Sequence, residues 1–228
     1  MRKSVLVLGL GTFGSRLLQK LSDAEDLRLF ALDRQQEQVE KAVNLVHTAA
    51  CGDLDDPEIL PAFLDQVGTV DIAVISLGEG TTASISAVLE LQDRKVDRVL
   101  VKARNESHRR VLKTLERSFA HTKVEVLLPE LDAAEKLARS LSAEALTREI
   151  QLAPGFSLVE IRWPEKFSGK SLQELELRQN FGLSLLGWRQ PGGHLQLAGP
   201  ESRLEAGALA LLVGPTEAID PWLKPDGP

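Results

Sequence analysis

Gly9-Leu10-Gly11-Thr12-Phe13-Gly14 stands directly behind the apolar run Val5-Leu6-Val7-Leu8 and ahead of an amphipathic stretch with Leu17, Leu18 and Leu21 on one face. A glycine triplet at this spacing, between a strand and a helix, restricts the chain to a few α/β topologies. The first glycine permits the tight turn, the second lets backbone approach a phosphate, and the third lets helix pack on strand. The unpaired N–H groups of the helix N-terminus then face an anion. A second apolar run, Leu29-Phe30-Ala31-Leu32, ends in Asp33. This is about 20 residues downstream, the interval expected for a carboxylate that binds ribose hydroxyls. Asp33 followed by Arg34 favours an adenosine or NAD(H) ribose over NADP, because a carboxylate repels a 2′-phosphate. The alternative role for Asp33 is a helix N-cap behind a strand.

Alternation continues over the first half of the chain. Apolar runs at Arg28–Leu32, Leu45–Ala50, Ile72–Ser76, Val99–Lys102 and Val124–Leu128 are separated by helical patterns near Gln36–Val43, Pro57–Leu64, Thr82–Leu91 and Ser107–Leu115. Continuous apolar strands alternating with helices predict a Rossmann-like, doubly wound parallel sheet covered on both faces, with ligand at the carboxyl ends of the strands. This domain spans residues 1–128. Pro129 opens a helix predicted to run from Glu130 to Arg148, with Leu131, Ala134, Leu137, Ala138, Leu141 and Ala145 as one apolar stripe. Such a stripe either packs on its own sheet or pairs subunits, and residues 129–150 are read as a crossover and dimerisation helix. Beyond Ala153-Pro154-Gly155, short strands at Phe156–Trp163, Leu183–Trp188, His194–Leu197 and Ala208–Val213 form a small β-rich domain over 151–224. Gln190-Pro191-Gly192-Gly193 reads as a hairpin turn, Ser171–Leu177 as a short helix, and 225–228 as a disordered tail.

The 228-residue chain is 43% hydrophobic and carries a net charge of −6, which argues against nucleic acid as a partner. No apolar run reaches the ~18–20 residues needed to span a bilayer, so direct membrane insertion is not expected. The single cysteine, Cys51, lies in Ala49-Ala50-Cys51 and reads as a buried hydrophobe in a reducing, cytoplasmic setting.

Further candidates sit at predicted strand ends. Gly52-Asp53-Leu54 follows the third strand, beside the expected adenine, or serves as a turn with a capping aspartate. Ser76-Leu77-Gly78 follows the fourth. Lys102 and Arg104 flank the end of the fifth, where two cations can neutralise a phosphate chain or simply be solvated. Glu130 follows the sixth, as a ligand for a divalent cation or as a charge favoured at a helix N-terminus. No catalytic residue is assigned. His47, His108, His121 and His194 are scattered, and neither a metal-ligand cluster nor a nucleophile elbow is present. Gly169-Lys170-Ser171 lacks the first glycine of a phosphate loop, where Pro164 stands. An NAD-dependent oxidoreductase is the enzyme alternative, but a β-rich appendage of this size is small for a substrate domain.

Val7-Leu8-Gly9-Leu10-Gly11-Thr12-Phe13-Gly14, Ala31-Leu32-Asp33, Gly52-Asp53, Val101-Lys102-Ala103-Arg104-Asn105 and Leu128-Pro129-Glu130 together resemble the RCK proteins, in particular the TrkA/KtrA-type regulatory subunits of potassium transporters. Gly169–Leu172, Gly182–Trp188 and Leu204–Pro215 resemble that family's C-terminal domain, RCK_C, behind an N-terminal RCK_N domain. The resemblance implies a non-enzymatic regulator that pairs through its crossover helix into dimers. The dimers build an octameric ring under a membrane-embedded potassium-translocating subunit of the Trk/Ktr type, so the chain would sit at the inner face of the membrane through that partner. It implies ATP/ADP or NAD(H) in the glycine-loop site, with Gly9, Gly11, Thr12, Phe13 and Gly14 around the phosphates and Asp33 and Arg34 at the ribose. Gly52, Asp53, Leu54, Leu77 and Gly78 would lie along the adenosine, with Lys102 and Arg104 near the phosphates. Glu130 corresponds to a position where some members hold a divalent cation (Mg or Ca) between subunits. One residue departs from the pattern: Thr12 stands where KtrA-type members typically carry an arginine that reaches the terminal phosphate of ATP. A threonine hydroxyl does not replace a charge-assisted contact of roughly 1.5–3 kcal/mol, so the resemblance does not carry ATP–ADP discrimination to this chain.

Overall fold

The computed structural model describes residues 2–78, 80–142, 145–224 and 227–228. Its contacts divide the chain into two compact units, Met1–Pro129 and Glu130–Pro228.

The first unit is a six-stranded parallel sheet. Its strands are β1 (Lys3–Leu8), β2 (Leu27–Asp33), β3 (Thr48–Cys51), β4 (Ile72–Ile75), β5 (Arg98–Lys102) and β6 (Lys123–Leu127), in the order β3-β2-β1-β4-β5-β6. Between them run α1 (Thr12–Leu21), α2 (Gln36–Ala42), α3 (Ile59–Val67), α4 (Thr81–Asp93) and α5 (Glu106–Glu116). The strand order reverses between β1 and β4, and ligands of open α/β sheets bind at such a switch point. The apolar runs of β1 and β2 supply both faces by strict alternation. Leu6, Leu8, Phe30 and Leu32 join Leu60, Phe63 and Leu64 of α3, Val88 and Leu91 of α4 and Leu112 of α5 in one core. Val5, Val7, Leu29 and Ala31 join Leu18 of α1 and Ala42 of α2 in the other. The period of two thus sends each neighbouring residue to an opposite helical layer.

Two expectations about this unit need correcting. The apolar run at Leu45–Ala50 begins as a single 3-10 turn (Val43–Leu45), and β3 starts only at Thr48. Cys51 is exposed, at the end of β3, which is an edge strand. Its thiol points to the Arg34 carbonyl at 3.4 Å.

In the second unit, α6 (Pro129–Ser142) is followed by β7 (Leu146–Ala153), so the helix does not reach Arg148. Ala143 and Glu144 lie outside the described residues. The segment from Leu146 is taken into a hairpin with β8 (Phe156–Arg162), with Leu146 opposite Ile161 and Ile150 opposite Leu158. The ladder to β8 supplies backbone partners that outweigh the local helical pattern. Of the stripe, Leu131, Leu137 and Leu141 are 43%, 59% and 77% exposed, and Ala145 is buried.

The sheet of this unit, ordered β10-β9-β11-β8-β7, is antiparallel and adds β9 (Ser184–Arg189), β10 (Gln196–Leu197) and β11 (Leu209–Pro215). Three short helices, α7 (Leu172–Leu175), α8 (Leu177–Phe181) and α9 (Thr216–Ile219), cover one face. Ser171 and Glu174 form a reciprocal capping box at α7, which is the use the fold makes of Gly169-Lys170-Ser171. The core holds Val159, Ile161, Leu212 and a cluster of Trp163, Phe167, Phe181 and Trp222, with Phe167 stacked on Trp222 at 5.1 Å. Of the tail, Pro225 and Asp226 lie outside the described residues. Gly227 donates its amide to the Lys224 carbonyl at 3.0 Å and lies against Pro164.

Gly9 has φ +89, and a Cβ there would come within 2.6 Å of the Ser76 carbonyl oxygen. Gly9→Ala is therefore expected to destabilise the first unit by about 1–3 kcal/mol, the cost of a strained backbone plus a displaced strand end. Urea unfolding checks this; a midpoint equal to that of the unaltered chain would refute it.

Candidate functional site

The loops behind β1, β2, β3 and β4 line a cleft of about 220 Å³. Its lining includes Gly9, Gly11, Asp33, Arg34, Gly52, Asp53, Leu54, Leu77 and Gly78 from the sequence-derived set. Leu32, Ser76, Gln35, Asp55 and Ala83 also line it. Gln35, Asp55 and Ala83 are the residues that sequence reasoning missed. They lie in or just behind loops already implicated, but their types carry no motif.

The three glycines have separate physical roles. At Gly14 a Cβ would overlap the Gly9 carbonyl, so the third glycine permits close packing inside the turn. Gly11, in extended conformation (φ −64, ψ −170), is the N-cap of α1 and supplies no side-chain cap. Nothing lies within 4 Å of a Cβ there, so the space beside it is open to a ligand. The first-turn amides of α1 and the helix dipole point into that space. Thr12 is exposed in this first turn, while Phe13 packs against the core that α1 covers.

Asp33 is placed by the end of β2 and joins two loops. One carboxylate oxygen accepts the Leu10 amide and the other accepts the Gln35 amide at 2.7 Å. It does not cap α2, whose N-cap is Gln35. Each oxygen retains a lone pair, so the carboxylate can still accept ribose hydroxyls while the backbone holds its orientation. Asp53 accepts the Asp55 amide at 3.1 Å, which makes an Asx-type turn two residues long; α3 begins only at Ile59. Asp55 reaches across toward the loop behind β4, with its Oδ1 3.9 Å from a Cβ built on Gly80.

Lys102 ends β5 and the exposed Arg104 follows it, two strands away from β1; neither lines the cleft. Glu130 is in the first turn of α6 with Asp132, a placement that the helix dipole favours. Among the described residues no group of three His, Cys, Asp or Glu side chains gathers to hold a metal ion.

One histidine that sequence reasoning left among four scattered ones has a defined place. His108 is 4% exposed in the first turn of α5, whose N-cap Asn105 accepts the His108 amide at 2.9 Å. Its Nδ1 accepts the Arg104 amide at 3.2 Å, and its Nε2 lies 2.9 Å from Ser84 Oγ. Burial holds its pKa below the ordinary 6.5.

Comparison with known proteins adds the family. The family model for the TrkA-N domain matches residues 5–122, more than half of the chain and nearly all of the first unit. The chain belongs to the TrkA-N family. The TrkA-C domain model matches residues 157–220 in the second unit of this TrkA-N protein. Ktr system potassium uptake protein A of Vibrio alginolyticus is 26% identical over 222 residues, covering 97% of each chain. Ktr system potassium uptake protein C of Bacillus subtilis is 27% identical over 186 residues, 82% of this chain and 80% of the relative. Among solved structures, the GsuK channel superposes on the whole chain with a TM-score of 0.55 at 19% identity, which shows a shared fold. This chain spans 40% of that channel chain. No helix among the described residues is long and apolar enough to cross a membrane.

The lowered pKa of His108 fixes the sign of a pH effect. The unfolded chain takes up this proton first, so stability is expected to fall as pH drops below 6.5 and to level off below the folded pKa. Urea unfolding of His108→Asn against the unaltered chain, from about pH 8 to about pH 5, isolates this contribution. An unchanged pH profile in the variant would refute it.

Proposed function

We propose that this TrkA-N protein is a nucleotide-sensing regulatory subunit of a bacterial potassium uptake system. It binds ATP/ADP or NAD(H) at the glycine-loop cleft and changes the shape of a ring assembly beneath a membrane-embedded, potassium-translocating subunit of the Trk/Ktr type. One observation carries this reading above the others. The cleft holds an open glycine-capped helix end beside a pre-oriented Asp33, in a chain that matches Ktr relatives along most of its length.

In this reading the backbone of Gly9–Gly14, with Thr12 in the first turn of α1, receives the phosphates. Asp33 takes the ribose hydroxyls, and Gly52, Asp53, Leu54, Leu77 and Gly78 flank the adenosine. Arg34 stands at the ribose edge. Lys102 and Arg104 supply cations for the far end of the phosphate chain, which the cleft does not itself enclose. The exposed Leu131, Leu137 and Leu141 of α6 fit a helix that pairs with a second copy, giving dimers and, by repetition, an octameric ring. A divalent cation at Glu130 would then take further ligands from the neighbouring subunit. The protein acts without catalysis, at the cytoplasmic side of the membrane and held there by its partner.

The physical basis is linkage. A ligand shifts a two-state ring only as far as it binds one state better, and moving the balance from 1:99 to 99:1 takes ~5.5 kcal/mol in total. Several equivalent sites in one ring sum small preferences to that amount.

Calorimetric and thermal-shift titration with ATP, ADP, NAD and NADH, with and without magnesium or calcium, is the direct test. At least one nucleotide is expected to bind and to raise the unfolding temperature. Asp33→Ala should weaken that binding by about tenfold or more, the scale of a lost charged hydrogen-bond acceptor. Gly11→Ala should leave stability within about 0.5 kcal/mol, since its Cβ meets nothing, yet weaken binding by filling the phosphate space. Failure of all four nucleotides to bind would sink the proposal. Hydride transfer from NADH to an acceptor would replace it with the oxidoreductase reading.

A further inference from the structure

His108 and Ser84 are buried polar side chains that no step above uses, and their proton positions can be worked out. The Arg104 backbone N–H can only donate, so His108 Nδ1 must accept and carries no proton. In a neutral ring the proton is then on Nε2, which donates to Ser84 Oγ at 2.9 Å. Ser84, 2% exposed, passes its own hydroxyl proton to the Thr81 carbonyl at 3.0 Å. The chain of bonds therefore runs in one direction, from the loop behind β5, through the imidazole, to the first residue of α4.

Both ends of this relay matter to the cleft. Thr81 opens α4 directly after Gly80, whose φ of +92 turns the chain from the loop behind β4 into the helix. Ser76, Leu77 and Gly78 of that loop and Ala83 of the same helical turn line the cleft. At the other end, the Arg104 amide belongs to the loop that carries Arg104 and follows Lys102, the two cations assigned to the phosphate chain. His108 and Ser84 thus link α4 to the loop between β5 and α5.

We infer that His108 is a positioning residue for the cleft. Held neutral and buried, it staples the α4 side of the binding site to the β5–α5 loop, so that the adenosine-facing wall and the phosphate-facing cations keep one spacing and shift together when a nucleotide enters. The inference rests on the nucleotide-binding reading above. A protonated imidazole turns a donor toward the Arg104 amide, and an absent one leaves both that amide and Ser84 Oγ without their partner. The two loops are then free to relax apart, which weakens any ligand that needs both.

The chemistry of the ring suggests a divided test. An asparagine amide oxygen can take the place of Nδ1 but does not reach Ser84, whereas a glutamine amide nitrogen can take the place of Nε2 but leaves Arg104 unpaired. ADP and NADH affinities are measured for the unaltered chain, His108→Asn, His108→Gln, Ser84→Ala and, as a control, the core variant Leu112→Val in the same helix. In parallel, the ring nitrogens of His108 are followed by NMR with and without nucleotide. Each of the three relay variants is expected to bind roughly tenfold more weakly, the scale on which a lost buried hydrogen-bond partner acts. Leu112→Val should lose stability and keep its affinity. The ring of the unaltered chain should show the Nε2–H tautomer, with resonances that move on saturation.

Relay variants that bind as well as the unaltered chain, or ring resonances indifferent to nucleotide, overturn the positioning role and leave the nucleotide reading standing. An affinity loss in Leu112→Val as large as in the relay variants reduces His108 to a stability residue and overturns it too. If His108→Asn or His108→Gln does not fold, Ser84→Ala and the resonances of the unaltered chain decide. An unaltered chain that binds none of ATP, ADP, NAD and NADH removes both readings.

Discussion

Backbone groups from three strand ends meet around Gly9, and the rest of the first unit is arranged about that meeting. The Gly9 amide donates to the Leu32 carbonyl at 2.9 Å, and the Ser76 amide donates to the Leu8 carbonyl at 2.7 Å. Gly9 passes so close to the Ser76 carbonyl, and Gly14 to the Gly9 carbonyl, that no side chain fits at either place. Strands β2, β1 and β4 thus end at one level, and α1 starts immediately in front of them with its amides open. The switch point of the sheet and the anion-binding end of the helix coincide because the chain is thin there.

Asp33 completes this arrangement electrostatically. Its two oxygens receive amides from the glycine loop and from the start of the next loop, which locks the carboxylate before any ligand arrives. A pre-oriented acceptor loses little freedom on binding, so more of the interaction appears as affinity. The same economy holds at His108, where one buried ring meets a backbone donor and a serine at once. Both side chains fix loops by bonding to backbone. The orientation of Asp33 in the cleft is therefore set by hydrogen bonds to backbone as well as by packing.

Much of this was legible in the order of residues. The glycine triplet, the apolar alternation and Asp33 have local causes: steric exclusion, the two-residue period of a strand and the charge of a strand-end carboxylate. Nine of the sequence-derived site residues do meet in the cleft. The misreadings share a different cause. Leu131–Ala145 carries a helical stripe, yet from Leu146 the chain pairs with β8, because a ladder partner distant in sequence outweighs local pattern. Cys51 sits in an apolar tripeptide, but its strand lies at the edge of the sheet, a fact of strand order and not of composition. His108 looked like one scattered histidine because Ser84, 24 residues away in the chain, meets it only in the folded structure.

By itself, the sequence determined the doubly wound sheet, the position of its ligand crevice and the residues that shape the phosphate turn. Each of these follows from interactions between near neighbours, or from a periodicity that any fold must respect. Tertiary structure alone decided where α6 gives way to β7, that Asp55 joins Asp33 and Asp53 around the crevice, and that Ser84 meets the buried His108. Those outcomes depend on which surfaces are covered and which backbone donors lie opposite, and both are set only when segments distant in sequence come into register.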